Sequence, residues 1–128
     1  MFFPDRFSVG PIAFRSVLDV GNSRSRMNDQ QAAVAAFVDE YDLETPPEFR
    51  LLDLVSEVGE LAKDANTSTE YGTEPEELTL ETDEIGDVLF ATLALADSLE
   101  VDAEAALEEA LEKYERRMDA TETPGSGE

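Results

Sequence analysis

The chain has 128 residues, the size of one domain. Nine Lys and Arg stand against 31 Asp and Glu, a formal net charge of −22, and there is neither histidine nor cysteine. The charge excludes a nucleic-acid or anionic-membrane surface, since both need cations to displace counterions. The missing side chains exclude disulfides, thiolate chemistry and the usual zinc and blue-copper ligand sets.

Any metal held here is a hard cation on oxygen ligands. No apolar run reaches the roughly 18 residues of a membrane span, and no apolar segment marks a signal peptide. The expected location is the cytoplasm. The hydrophobic fraction of 41%, arranged in periodic runs, argues for a folded core over disorder. Only two of the nine cations are Lys, Lys63 and Lys113. An acid-rich, Lys-poor surface suits strong salt screening. We therefore expect a halophilic source, and stability that rises from dilute buffer to molar KCl.

Residues 1–26 carry a net charge of +2, with Arg6, Arg15, Arg24 and Arg26, and have no helical or strand period; residues 27–128 carry −24. The expected organisation is a disordered leader over 1–26, from an over-extended start before Met27, then one domain over 27–119 and a flexible tail over 120–128. Within the domain, Asn28 is the predicted N-cap of a first helix, about 29–42, with Val34, Phe37, Val38 and Tyr41 on one face. Thr45-Pro46-Pro47-Glu48 reads as a capping box with prolines in the first turn. It opens a second helix whose stripe is Leu51, Leu54, Val55, Val58, Leu61, Ala62 and Ala65, ended by Asn66-Thr67-Ser68-Thr69.

Thr73 and Glu76 repeat the box around Pro75 and predict a third helix over about 75–99, the most apolar and so the central one. Asp102 caps a fourth helix through Met118, with Ala106, Leu107, Ala110, Leu111, Tyr114 and Met118 inward. No strand signal competes, so the fold class is all-α.

The informative feature is an internal echo. Glu57-Val58-Gly59-Glu60 in the second helix matches Glu84-Ile85-Gly86-Asp87 in the third. Each acid pair is spaced i,i+3, on one helix face a turn apart, where like charges repel by a few tenths of a kcal/mol. Each pair brackets a mid-helix glycine, which costs about 1 kcal/mol relative to alanine. Selection for a stable bundle alone would not repeat both penalties. Antiparallel packing would bring the four carboxylates together, the glycines giving room for close approach, and Mg²⁺ takes oxygen ligands of this kind. In a chain with 31 acids the competing reading is a solvated acidic face. A di-iron carboxylate bundle would need Glu-x-x-His pairs, which a chain without histidine lacks.

Lys113, Arg116 and Arg117 put three of the nine cations in one turn near the end of the fourth helix. They complement the helix dipole, and they also offer forked and point-charge donors to a phosphate.

With Ser56 through Ala62, Asp83 through Phe90 and the closing Glu112-Lys113-Tyr114-Glu115-Arg116-Arg117, the chain resembles the MazG-like nucleoside triphosphate pyrophosphohydrolases of the all-α NTP pyrophosphatase superfamily. Twenty-three residues separate the two acid motifs, as in an EExxE…ExxD pattern, and Ser56 stands where the family often has its first Glu. The resemblance covers about residues 30–118. It implies a four-helix bundle completed by dimerisation, as a homodimer or a dimer of dimers.

It further implies that Glu57, Glu60, Glu84 and Asp87 hold Mg²⁺, with Mn²⁺ as the alternative. Glu57 or Glu60 would take the proton of the attacking water, and Lys113, Arg116 and Arg117, helped by Lys63, would bind the phosphates of an NTP. The reaction implied is NTP plus water to NMP plus pyrophosphate, in nucleotide-pool house-cleaning. The alternatives are a phosphoribosyl-ATP pyrophosphohydrolase-like enzyme and a non-enzymatic acidic helical adaptor. Phe37, Tyr41, Phe49, Asn66 and Tyr71 are the side chains able to meet a base, though core or loop filling explains each as well, so the base-binding residues stay unassigned.

Overall fold

A computed structural model describes residues 23–121. The predicted leader up to residue 22 and the tail from residue 122 lie outside the described residues. Among the described residues four helices account for the long elements: α1 Ser23–Glu40, α2 Pro47–Ser68, α3 Thr82–Ser98 and α4 Ala103–Thr121. Among the described residues there is no strand, so the fold is all-α.

The helix ends differ in places from the sequence expectation. α1 begins at Ser23, so Asn28 lies inside it and caps nothing. α2 is capped by Pro46, with Pro47 in its first turn and no side-chain cap bond, so the Thr45 box does not form. Proline there fits the physics, because the first helical N–H groups have no partner within the helix. Thr69 closes α2, as expected. Its Oγ1 donates to the Ala65 carbonyl at 2.6 Å and accepts the Gly72 N–H at 3.0 Å. That leaves Glu70, Tyr71 and Gly72 in the left-handed region, φ 48, 58 and 86, where only the last residue is at ease.

The largest correction concerns the third helix, which starts seven residues after Pro75. The Thr73 hydroxyl turns back to the Glu70 carbonyl at 2.9 Å instead of forward to a helical N–H. Pro75–Glu77 form only one 3₁₀ turn. The chain then runs extended at Leu78, and the Thr79 N–H takes the Ser68 Oγ at 3.0 Å. At the other end Asp102 does cap α4, its Oδ1 accepting the Ala105 N–H at 3.0 Å. Gln31 of α1 locks this turn from across the bundle. It donates to the Val101 carbonyl at 2.8 Å and accepts the Ala103 N–H at 2.9 Å, two groups that the α4 start would otherwise leave to solvent.

α3 is central, as its apolar composition predicted: it packs on α2, α1 and α4, and it carries the buried core residues Ala91, Leu93 and Ala94. α2 and α3 run antiparallel. Arg50, early in α2, shares a cavity with Phe90 and Ala91, whereas Glu57, two turns on, meets Glu84 and Asp87.

The predicted α2 stripe splits in two. Leu54, Leu61 and Ala65 are half-buried toward α3, but Leu51, Val55, Val58 and Ala62 are exposed. Helix geometry explains this, since at about 100° per residue Leu51, Val55 and Val58 fall roughly 100–160° from Glu57. In α3, Ile85 and Leu89 stand at similar angles from Glu84 and are exposed too. For two antiparallel helices, equal rotations from the contact line point to the same side, so these five residues make one uncovered apolar face. Leu107, Tyr114 and Met118 of α4, expected inward, are likewise partly exposed.

Gly59 and Gly86 do not serve close helix approach. A methyl group added at either would meet nothing within 4 Å.

Candidate metal centre

On the other side of the α2–α3 pair, Glu57, Glu84 and Asp87 converge, with one carboxylate oxygen from each lying within 4.8 Å of the others. Glu57 and Glu84 are half-buried and Asp87 is exposed. Glu84 stands in the first turn of α3, with Asp83 beside it. The positive end of the helix macrodipole favours acids there and offsets part of their repulsion. Even so, partial burial, then the neighbouring charges of Asp64, Asp83, Asp87 and Glu60, hold the Glu84 carboxyl above its ordinary value.

Of the four acids singled out from the sequence, three meet and Glu60 does not join the cluster. The reason is angular. Three residues beyond Glu57, Glu60 is rotated about 60° away from it, while Asp64, seven residues on, returns to within about 20°. Asp64 is half-buried and is the carboxylate that acts most strongly on Glu84, ahead of Glu60. Sequence reading passed over it, although its i,i+7 spacing from Glu57 was the available signal.

The cations predicted to bind phosphate are not in this cavity. Lys63 on α2 is exposed. Lys113 and Arg116 on α4 are exposed and Arg117 is half-buried; the Lys113 Nζ lies 5.1 Å from the Tyr114 ring centroid. The cavity beside the acids, about 290 Å³, is lined by Arg50, Asp53, Glu57, Asp87, Phe90 and Ala91. Arg50 is the one cation lining it among the described residues, and it is buried. Nothing in the sequence set Arg50 apart from other cations, because burial is a property of the packed helices.

Of the side chains considered for a base, Phe37 packs tilted on Tyr41 at 4.7 Å and edge-on to Phe90 at 5.8 Å. Phe49 is exposed, Tyr71 is 85% exposed and Asn66 faces solvent. Phe90 itself is the aromatic residue that reaches the cavity.

Three carboxylates from two helices, with no nitrogen or sulfur among them, are a donor set that suits a hard divalent cation. Fold and site together define a helical protein with a cluster of carboxylates able to hold a hard cation. Residues 46–121, more than half of the chain, match the model of the MazG nucleotide pyrophosphohydrolase domain. The uncharacterized protein YpjD of Bacillus subtilis (strain 168) is 33% identical over 100 residues, which cover 74% of this chain and 88% of that protein. No solved structure matches the chain.

The chain belongs to the MazG nucleotide pyrophosphohydrolase family. That membership supports a hydrolase acting on phosphoanhydrides, and the family's dependence on divalent metal agrees with the carboxylate cluster. No helix among the described residues is long and apolar enough to cross a membrane.

Proposed function

We propose that the protein is a Mg²⁺-dependent nucleoside triphosphate pyrophosphohydrolase that converts an NTP and water to an NMP and pyrophosphate in the cytoplasm. The observation that carries this reading is the convergence of Glu57, Glu84 and Asp87 from two helices in a chain of this family. These three carboxylates would hold Mg²⁺, or Mn²⁺ in its place, with Glu60 a turn away beside the site. A bound divalent cation supplies a water of lowered pKa and neutralises charge on the phosphates.

Glu57 and Glu60 divide the remaining work. Glu57 is drawn into the cluster, whereas Glu60 stays outside it and exposed, which leaves its carboxylate available to accept the proton of the attacking water. Attack at the α-phosphorus then releases pyrophosphate. Lys113, Arg116 and Arg117, with Lys63, supply positive charge to the distal phosphates. In a chain of net charge −22, such local donors must outweigh the surrounding repulsion, and salt shortens the range of that repulsion.

The reading includes a homodimer. The uncovered face of Leu51, Val55, Val58, Ile85 and Leu89 is apolar, and a second copy placed on it would extend a core that numbers three buried apolar residues among the described residues. The same surface could instead dock a different partner, as the adaptor alternative requires.

The test is pyrophosphate release from a panel of canonical and modified NTPs with Mg²⁺ in molar KCl. We expect wild type to release pyrophosphate and Glu84→Gln to lose roughly 100-fold or more, at least the loss seen when the support of a metal ligand is removed. Wild type and variant alike giving no product, both with intact helices, would transfer the reading to the adaptor.

A further inference from the structure

Arg50 is an unusual residue in this chain. It is the buried cation beside the carboxylate cavity, its side chain only 9% exposed. One Nη donates to the Leu43 carbonyl, which ties the α1–α2 connection to α2. The other Nη lies 3.8 Å from Asp53 Oδ2, too far for a hydrogen bond, and the Asp53 side chain is 59% exposed. A guanidinium has five N–H donors. Arg50 lines this cavity and also a second one, about 240 Å³, with Val34, Val38, Glu44 and Asp97. Beyond the Leu43 carbonyl and the loose ion pair with Asp53, the fork keeps donors to offer a ligand.

The cavity is graded along its length. Glu57 and Asp87 form one end. Arg50 and Asp53 form the other, seven and four residues earlier on α2, roughly 10 Å and 6 Å along the axis from Glu57. Phe90 and Ala91 wall the space between, and Phe37 braces the Phe90 ring edge-on. An anion belongs at the end where a cation is held. A phosphate is disfavoured at the Arg50 end, because Asp53 stands beside the guanidinium and balances its charge. An adjacent donor fork and carboxylate, next to an aromatic wall, suit a planar neutral group that carries acceptors and donors side by side.

We propose that Arg50 and Asp53 read the nucleobase, and that they select guanine over adenine. Guanine presents N7, O6 and N1–H consecutively: Arg50 donates to the two acceptors and Asp53 accepts from the ring N–H. Adenine places an amino group where O6 would be, which opposes a donor to the Arg50 fork. Phe90 gives the base an apolar surface to lie against. This assignment rests on the pyrophosphohydrolase reading for the direction in which the nucleotide lies, with its phosphates toward Glu57 and Asp87.

The experiment is titration calorimetry of guanosine and adenosine 5′-monophosphates into the full chain with Mn²⁺, for wild type, Arg50→Lys and Asp53→Asn. Circular dichroism checks the fold, and Mn²⁺ binding is measured alone. Wild type should bind the guanine nucleotide about 10-fold or more tightly over adenine, the value of one good bidentate contact. Both variants should bring the ratio near one while Mn²⁺ binding stays unchanged. Equal affinity for the two bases in wild type, or a preference that survives in both folded variants, overturns the assignment. Because the readout is binding, it separates from the parent reading: absence of pyrophosphate release with a guanine preference intact would remove the enzyme and keep the pocket.

Discussion

The two sides of the α2–α3 pair are built from the same two helices and have opposite chemistry. One side gathers Arg50, Asp53, Glu57, Glu84 and Asp87 around a polar cavity; the other exposes Leu51, Val55, Val58, Ile85 and Leu89. Each side is unfavourable in an isolated chain, the first because its carboxylates repel, the second because apolar area faces water. The remedies differ. A divalent cation relieves the first and a second apolar surface relieves the second, so the two should respond independently to substitution.

The largest expected effect lies on the polar side. Glu57→Gln, like Glu84→Gln, removes a carboxylate from a three-acid set and should lower pyrophosphate release roughly 100-fold or more, with little change in oligomeric state by light scattering. On the apolar side the expectation inverts. Leu89→Asp should weaken self-association roughly 100-fold or more, because a carboxylate buried unpaired at an interface costs several kcal/mol. Its Mn²⁺ binding should stay close to that of wild type. If Leu89→Asp left the oligomer unchanged, the apolar face would not be the dimer surface. If it abolished Mn²⁺ binding, the two sides would be coupled through α3.

How much of this was legible in the sequence follows the same division. The four helices, the central place of α3 and the pairing of the acid motifs were readable because apolar period and carboxylate spacing are local properties. The start of α3 was not, since Thr73 could turn either way and its bond to the Glu70 carbonyl depends on how the preceding loop folds. The partition of one α2 stripe into a half-buried and an exposed row needed the position of α3. Arg50, Asp53 and Asp64 belong to no motif, and only packing distinguishes them from other charged residues. Glu60 lies off the cluster of Glu57, Glu84 and Asp87, because i,i+3 spacing guarantees a shared face but leaves about 60° between the two side chains.

The mid-helix glycines test the outer surface. Gly59 and Gly86 were expected to permit close approach, yet open space surrounds both positions. With no contact to lose, Gly59→Ala should stabilise α2 by about 1 kcal/mol and raise Tm by roughly 4 °C. A drop in Tm at protein concentrations that favour the oligomer, with a rise on dilution, would instead make Gly59 part of an interface between copies.

The smallest expected effect separates charge from packing at Glu84. Its folded-state pKa lies above the ordinary value, through partial burial first and then the charges of Asp64, Asp83, Asp87 and Glu60. Between the ordinary and the raised value the metal-free folded chain binds more protons at this position than the unfolded chain, so the Glu84 contribution to stability falls as pH rises through that window. Above that window ionised Glu84 therefore destabilises the metal-free protein. Glu84→Gln should have a higher Tm than wild type at pH 7 without divalent metal, and the gap should close as pH falls through the raised value and Glu84 itself becomes neutral. Adding Mg²⁺ should raise Tm for wild type and leave the variant where it was, closing or reversing the gap. A gap constant across pH would trace the effect to altered packing, since only an ionised carboxylate ties it to protons and to metal in opposite directions.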